Sequence, residues 1–253
     1  MTRMLSTVEH DGTDLVGWQA QSTGPSVQEH LENAARKLTG VDTLIYGAGR
    51  TDSGVHATGQ AAHLDVPDKL DARAVMRGLN AWLKTDQICV LSARAVADDF
   101  HARFDASERR YLYRILHMPT RPALERHRVW HRPKPLSVDA MAEAATHLIG
   151  KHDFTSFRAS ACQAESPVRT LDHLNVSLVG NEIHITAKAR SFLHNQIRNI
   201  TGSLVQVGLG KWPPQKMEDV LKACDRTKAG PAAPAHGLYL TGVSYPNLND
   251  VDG

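Results

Sequence analysis

The chain of 253 residues is short of cysteine, of aromatic side chains and of net charge, and each shortage narrows what it can be. Its three cysteines, Cys89, Cys162 and Cys224, are scattered, with no CxxC pair and no zinc-ligand spacing. That excludes a disulfide framework, fits a reducing compartment, and leaves each thiol most simply as a small buried apolar group. No apolar run approaches the roughly eighteen residues that would span a bilayer. The opening MTRMLSTVEHDGTD is charged too early for a secretory leader. The expectation is a soluble, cytoplasmic protein with no membrane partner. GAGRTDSG lacks both the third glycine of a dinucleotide loop and the GK[ST] of a P-loop, so phosphate cradling is a poor fit. His56, His63 and Asp65 lack HxxxH or HExxH spacing, so no metal is expected.

What is present is an ordinary globular mixture, 42% apolar and 22% charged. The net charge of +2 hides an uneven distribution. Between Arg103 and Lys134 stand nine Lys or Arg against three acids, Asp105, Glu108 and Glu125. Such a stretch is either a solvated basic face or a surface for a polyanion, since phosphate contacts need Lys and Arg and gain affinity by releasing counterions.

Periodicity divides the chain into two halves of the same order. SVQEHLENAARKL opens with a capping box, Ser26 to Glu29, sets Val27, Leu31, Ala34, Ala35 and Leu38 on one helical face, and stops at Gly40. The strand-like MLSTVEHDGTDLVGWQ precedes it, and VDTLIY and TGQAAHLDV follow as strands. DARAVMRGLNAWL, with Asp71 as cap, is a second helix, and ICVLSARAV another strand. The second half repeats the order with RRYLYRILHM, the helix SVDAMAEAATHLIG, the hairpin LDHLNVSL to EIHITAKAR, the helices FLHNQIRNITGSLVQV and PPQKMEDVLKAC, and the strand GLYLTGVSY. The expected class is α/β (α+β): two ferredoxin-like β-α-β-β-α-β halves, 1–106 and 107–246, whose antiparallel sheets join side by side with a cleft between them. Residues 247–253 are expected to be a disordered tail.

Within YGAGRTDSGVHATGQ one carboxylate, Asp52, follows Arg50 in a glycine-rich loop. One reading is a structural turn pinned by Arg50. The other is chemical: a nearby guanidinium favours the ionised form of a carboxylate, which makes it available as a nucleophile. No second carboxylate offers itself as the partner that glycosidases use. Arg198 lies on the polar side of an otherwise apolar helix, flanked by Asn195 and Asn199, and is either an exposed helix arginine or a buried guanidinium. Tyr111 adjoins Arg109 and Arg110 and is either core or a ring on which a base stacks.

These segments resemble the tRNA pseudouridine synthase A family. EHDGTDLVGWQAQ, SVQEHLE, AGRTDSGVHATGQ, DDFHARFDASERRYLY, HDFTSF, FLHNQIRNITGSL and GLYL stand in the family's order, and GRTD-x-GVH is highly specific. The resemblance implies two α/β halves, a homodimer, tRNA bound through its anticodon arm, and no cofactor. It implies isomerisation of uridine to pseudouridine at tRNA positions 38, 39 and 40, with Asp52 as nucleophile on a flipped-out nucleotide. Arg50 would help hold that nucleotide and Tyr111 would stack on the base. Arg198 matches the arginine that pairs with the aspartate, and Leu238 would form part of the pocket wall. Two departures stand out: Ser53 where alanine is frequent, and His194-Asn195-Gln196 where a basic-His-Met run is common. A non-catalytic tRNA-folding protein on the same scaffold, and a metal hydrolase using His56 and His63, are the rival readings.

Overall fold

The computed structural model describes residues 1–85, 87–160, 162–246 and 248, so the expected tail lies outside the described residues except for Leu248. The chain divides into two compact units, one formed by Met1–Ser107 with the chain from Tyr239, the other by Glu108–Leu238.

The first unit runs β1 (Thr2–His10), α1 (Val27–Thr39), β2 (Tyr46–Gly47), β3 (His56–Val66), α2 (Ala72–Trp82) and β4 (Ile88–Ala95). This is the expected order, with the second strand reduced from VDTLIY to two residues that pair with His63 and Ala62 of β3. β1 lies between β3 and β4 and is antiparallel to both. The Ser26 hydroxyl accepts the Glu29 N–H at the start of α1, and Gly40 closes the helix in the left-handed region at φ 79°. Asp71 caps α2 through the Ala74 N–H. Val27, Leu31, Ala34 and Ala35 of α1, with Val75 and Leu79 of α2, bury against Met4, Val8, Leu64, Val66 and Val90 of the sheet. Each large side chain so buried contributes about 1.5–3 kcal/mol. Because a strand alternates, Leu5 faces the other way, into a smaller cluster with Ala61, Ala102, Phe100 and Tyr245.

The second unit runs β5 (Glu108–Leu116), β6 (Trp130–His131), α3 (Val138–Thr146), β7 (Gly150–Asp153), β8 (Val168–Leu171), β9 (His173–Val179), β10 (Glu182–Ala189), α4 (Gln196–Gly208) and α5 (Lys216–Ala223). β10 lies between β5 and β9, antiparallel to both, and Gly180 turns the β9–β10 hairpin at φ 58°. Tyr113, Ile115, Ile183 and Ile185 of this sheet are buried, as are Met141, Ala145, Ile200 and Leu204 of the helices. β7 and β8 form a small ladder of their own.

β11 (Leu238–Ser244) closes the order. It pairs in parallel with β3, Tyr239 opposite His56 and Leu240 opposite Ala57. The second half, expected to run to 246, ends instead at Leu238, and Tyr239 onward belongs to the first unit. The thiols depart from expectation as well. Cys89 and Cys224 are exposed and Cys162 is half-buried. Cys89 alternates with buried Ile88 and Val90 and so faces outward, while Cys224 caps α5 in the left-handed region at φ 47°. Among the described residues no helix is long and apolar enough to cross a membrane.

Candidate active site

Asp52 lies on the loop between β2 and β3, and a second loop, residues 11–18, is laced to it. The Trp18 N–H donates to the Thr51 carbonyl at 3.0 Å. The Ser53 hydroxyl donates to the Leu15 carbonyl at 3.1 Å, and the Gly12 N–H donates to His56 Nδ1 at 3.0 Å. From below, the Gln60 amide donates to the Gly49 carbonyl at 2.8 Å. The close approach needs glycine: a Cβ on Gly17, whose φ is +104°, would stand 2.4 Å from the Thr51 carbonyl oxygen. The two quoted segments EHDGTDLVGWQ and AGRTDSGVH are thus one interlocked structure.

The result is a loop buried on its flanks and open at its tip. Thr51 and Val55 are buried, Asp52 is half-buried, and Ser53 and Arg50 are exposed. The Val55 N–H donates to the Asp52 carbonyl at 3.1 Å, closing the turn at Gly54, whose φ is 77°. Among the described residues Arg50 has neither an ion pair nor a hydrogen bond, so the turn is held by its neighbours' backbone and not by an Arg50–Asp52 pin.

Two histidines support this loop, His10, which the sequence did not single out, and His56, which it named only in the metal reading. His10 is buried, its Nε2 3.4 Å from the Thr51 hydroxyl. Burial, then the proximity of His56, lowers its pKa to about 4, so the ring is neutral at pH 7. The His56 ring stacks on Tyr239 with centroids 4.8 Å apart, and its Nδ1 lies 3.1 Å from Asp11 Oδ1. His63, the other imidazole of the metal reading, accepts the Ala102 N–H at 3.1 Å and stacks on Tyr46. Among the described residues no three His, Cys, Asp or Glu converge as a metal cluster.

Arg198, Tyr111 and Leu238 belong to the second unit. The segment expected to be helical from Phe192 enters α4 only at Gln196, after Asn195 in the left-handed region at φ 61°. The Gln196 side chain accepts the Leu193 N–H at 2.8 Å, which fixes the turn. α4 is not apolar with one polar side: Gln196, Asn199, Thr201 and Ser203 are buried along with its Ile and Leu residues. Arg198 is half-buried, its Nε donating to the Ala233 carbonyl and one terminal nitrogen to Asn195 Oδ1, each at 2.8 Å. Arg226 bridges the Gly230 carbonyl and Asn199 Oδ1, each at 3.0 Å, and the Ser203 hydroxyl accepts the Gly230 N–H at 2.9 Å. A Cβ on Gly202 would stand 1.7 Å from the Pro231 carbonyl oxygen. The strap 226–233 therefore lies directly on α4 and orients the Arg198 guanidinium.

Tyr111 is half-buried and meets Phe192 edge-on, centroids 5.1 Å apart at 87°. Leu238 is buried, and the preceding Gly237 has no side chain because the Tyr113 ring occupies its place, 2.6 Å from where a Cβ would stand. The Tyr113 hydroxyl donates to the Pro234 carbonyl at 2.7 Å, and burial holds its pKa well above the usual value. The basic stretch is of two kinds. Arg114 forms a two-pronged pair with Glu182, at 2.8 and 2.7 Å, and buried Arg109 donates to the Arg190 carbonyl. Arg103, Arg121, Arg126, Arg128 and Lys134 are exposed.

The strap and the histidine under Thr51 escaped sequence reasoning, which named Asn195 only as a polar neighbour of Arg198. Asparagine is enriched among non-glycine residues in the left-handed region, a signal at Asn195 before Gln196. The strap carries none beyond Gly230-Pro231.

Comparison with known proteins gives these features a common setting. A family model described as tRNA pseudouridine synthase matches residues 7–105 and 144–246. Curated proteins named tRNA pseudouridine synthase A are similar over 97% of this chain. That of Rhodospirillum rubrum is 53% identical and covered over 88% of its length, that of Paramagnetospirillum magneticum 55% and 96%, and that of a Caulobacter strain 54% and 98%. The Asp52 loop and its lacing segment from Thr7 onward lie in the first match, and α4 with its strap in the second, so the chain belongs to the tRNA pseudouridine synthase family, a family of isomerases acting on tRNA.

Proposed function

We propose that this protein isomerises uridine to pseudouridine at positions 38, 39 and 40 of the tRNA anticodon stem-loop, with Asp52 as the nucleophile. The observation that carries the assignment is the Asp52 loop, buried at Thr51 and Val55 yet open at its carboxylate-bearing tip. The overall change breaks the C1′–N1 bond and forms C1′–C5, with a proton lost from C5 and one gained at N1. It has no net oxidation, so a positioned carboxylate is the chemistry it asks of the protein. A uridine in a stem is out of reach, and flipping it costs a few kcal/mol. In this reading Tyr111 stacks on the base, Arg50, exposed two residues before Asp52, holds the nucleotide's phosphate, and Leu238 lines the pocket wall. Arg198, by the family resemblance, serves the charge of the aspartate. The protein works as a cytoplasmic homodimer on the anticodon arm, with no cofactor, and reads RNA through loop shape and the 2′-OH.

The test is chemical mapping of pseudouridine in an unmodified tRNA carrying uridines at 38 to 40, incubated with wild-type or Asp52→Asn protein. Wild type is expected to modify these positions, and Asp52→Asn to fall at least about a thousandfold, a loss of about 4 kcal/mol in the transition state, with tRNA affinity little changed. Turnover by the pure variant sinks the nucleophile assignment. Tight binding by wild type with no pseudouridine sinks the isomerase reading and favours a tRNA-folding role.

A further inference from the structure

The stretch YGAGRTDSGVHATGQ ends on a glutamine to which the proposed reaction gives no part. Gln60 lies on β3 and is fully buried. Its side-chain N–H donates to the Gly49 carbonyl at 2.8 Å. Its Oε1 has no hydrogen-bond partner among the described residues, so the bond to Gly49 is what this buried amide makes with them. Filling space alone would need no amide here, since a methionine has the same length and no polar group to take out of water.

The backbone explains why a side chain is called on at this point. β1 occupies one edge of β3, and two strands share the other edge, β2 at Ala62 and His63 and β11 at His56 and Ala57. Beyond Gly47 the chain follows β3 for one bond more, the Ala48 N–H donating to the Ala61 carbonyl at 2.7 Å, and bends away at Ala48 and Gly49. The next rung in that register falls between Gly49 and Gln60, and the Gln60 side chain makes it. The ladder with β1 is irregular at the same level: Val8 lies opposite Gln60 and His10 opposite Ala57, so β3 carries one residue more than β1 between them. Bulges of this kind re-aim side chains and are over-represented beside active sites. Asp52 stands three residues past this last rung. The far side of its loop is tied through Thr51, Ser53 and Val55. On the near side the tie is the bond from Gln60.

We propose that Gln60 is a positioning residue for the isomerisation: by holding the Gly49 carbonyl it sets where the chain leaves β3, and so where the Asp52 carboxylate stands. The role rests on the reading of Asp52 as the nucleophile. Gln60 is buried and acts through the loop, so it affects the reacting geometry and leaves tRNA binding alone. A displacement of about 1 Å at a reacting group is enough to cost about a hundredfold in rate.

The test measures kcat and KM for pseudouridine formation, and tRNA affinity, for wild type, Asp52→Asn, Gln60→Met, Gln60→Asn and Gln60→Glu, each at a temperature where thermal melting shows it folded. Gln60→Met keeps the length and removes the donor. It is expected to lower kcat about 30-fold with KM and affinity within about twofold of wild type. Gln60→Asn keeps the amide but draws it back by one methylene, and the same outcome is expected, which decides the matter if the methionine variant does not fold. Gln60→Glu keeps the shape, and burial favours its neutral acid, whose O–H replaces the amide donor at Gly49. At about pH 6 it is expected to recover kcat to within about threefold of wild type. A kcat equal to wild type's in the methionine and asparagine variants overturns the role, even with a lower melting temperature, and leaves Gln60 a structural pin. A raised KM at unchanged kcat overturns it by assigning Gln60 to tRNA binding, and a glutamate variant as slow as the methionine one overturns it by removing the Gly49 bond from the cause. Absence of pseudouridine with wild type, or full turnover by Asp52→Asn, is a different failure: it sinks the reading of Asp52, and the role with it.

Discussion

The two units hold their candidate site residues, Asp52 and Arg198, by opposite means. Asp52 sits on a loop with no helix or strand of its own, tied to a neighbouring loop by the Trp18 N–H on the Thr51 carbonyl, the Ser53 hydroxyl on the Leu15 carbonyl and the Gly12 N–H on His56. Arg198 rises from a helix buried on nearly every side, and side chains as well as backbone fix it: Asn195, the Ala233 carbonyl, and behind them Arg226, Asn199 and Ser203. A loop tip lets a carboxylate remain reachable while its flanks are buried. A long guanidinium has more rotamers to lose, and a polar cage takes up that cost in advance.

If the contrast is real, a methyl group should injure the two units differently. The largest expected effect is from Gly202→Ala, whose Cβ would overlap the Pro231 carbonyl at 1.7 Å. Overpacking against backbone should cost about 3 kcal/mol or more, read as a lower denaturation midpoint. Gly17→Ala, at φ +104° and 2.4 Å from the Thr51 carbonyl, should cost about 1–3 kcal/mol of strain. Its sharper signature should be kinetic, about a hundredfold loss of turnover from a displaced Asp52 loop. Equal turnover in the two variants, at a temperature where both are folded, would erase the distinction.

Acid sharpens the comparison at the Asp52 loop. His10 titrates at about 4 when folded, against its ordinary 6.5. Between those values the unfolded chain binds more protons than the folded one, so stability falls as pH drops from about 6.5 to about 4 and levels below that. The contribution of His10 to this fall is about 3 kcal/mol. Urea unfolding at pH 7 and at pH 4.5 measures it, and His10→Gln should show a shallower fall than wild type. An identical slope would mean that His10 is solvated in the folded protein. The smallest effect is expected at Asn195→Gly, which keeps the left-handed backbone but removes the acceptor facing Arg198. Turnover should fall about tenfold with tRNA affinity unchanged, and Asn195→Asp should recover most of it. A fall in thermal stability alone would make Asn195 a helix start and nothing more.

Much of this was legible in the residues. α1 and α2 could be read to their caps, because Ser26, Gly40 and Asp71 satisfy backbone groups that every helix end leaves open. The alternation of Tyr113 and Ile115 marked β5. β6, β7 and β8 were hidden because two to four residues carry no period. VDTLIY misled for a related reason, since only Tyr46 and Gly47 find partners on β3. At the site, local chemistry singled out Asp52, Arg50 and Arg198. Of the groups that hold Arg198, the Ala233 carbonyl lies 35 positions further on, and no local pattern announces a contact of that span.

The return of β11 to β3 has a consequence in time. A ribosome delivers Glu108–Leu238 before it delivers Tyr239, so every residue of the second unit has been made while the first still lacks its last strand. Until then β3 offers its free backbone groups at His56 and Ala57, and the His56 ring has no Tyr239 to lie against. The unit that carries Asp52, begun first, is finished last, and a chain broken off at Leu238 leaves Asp52 on an unfinished sheet.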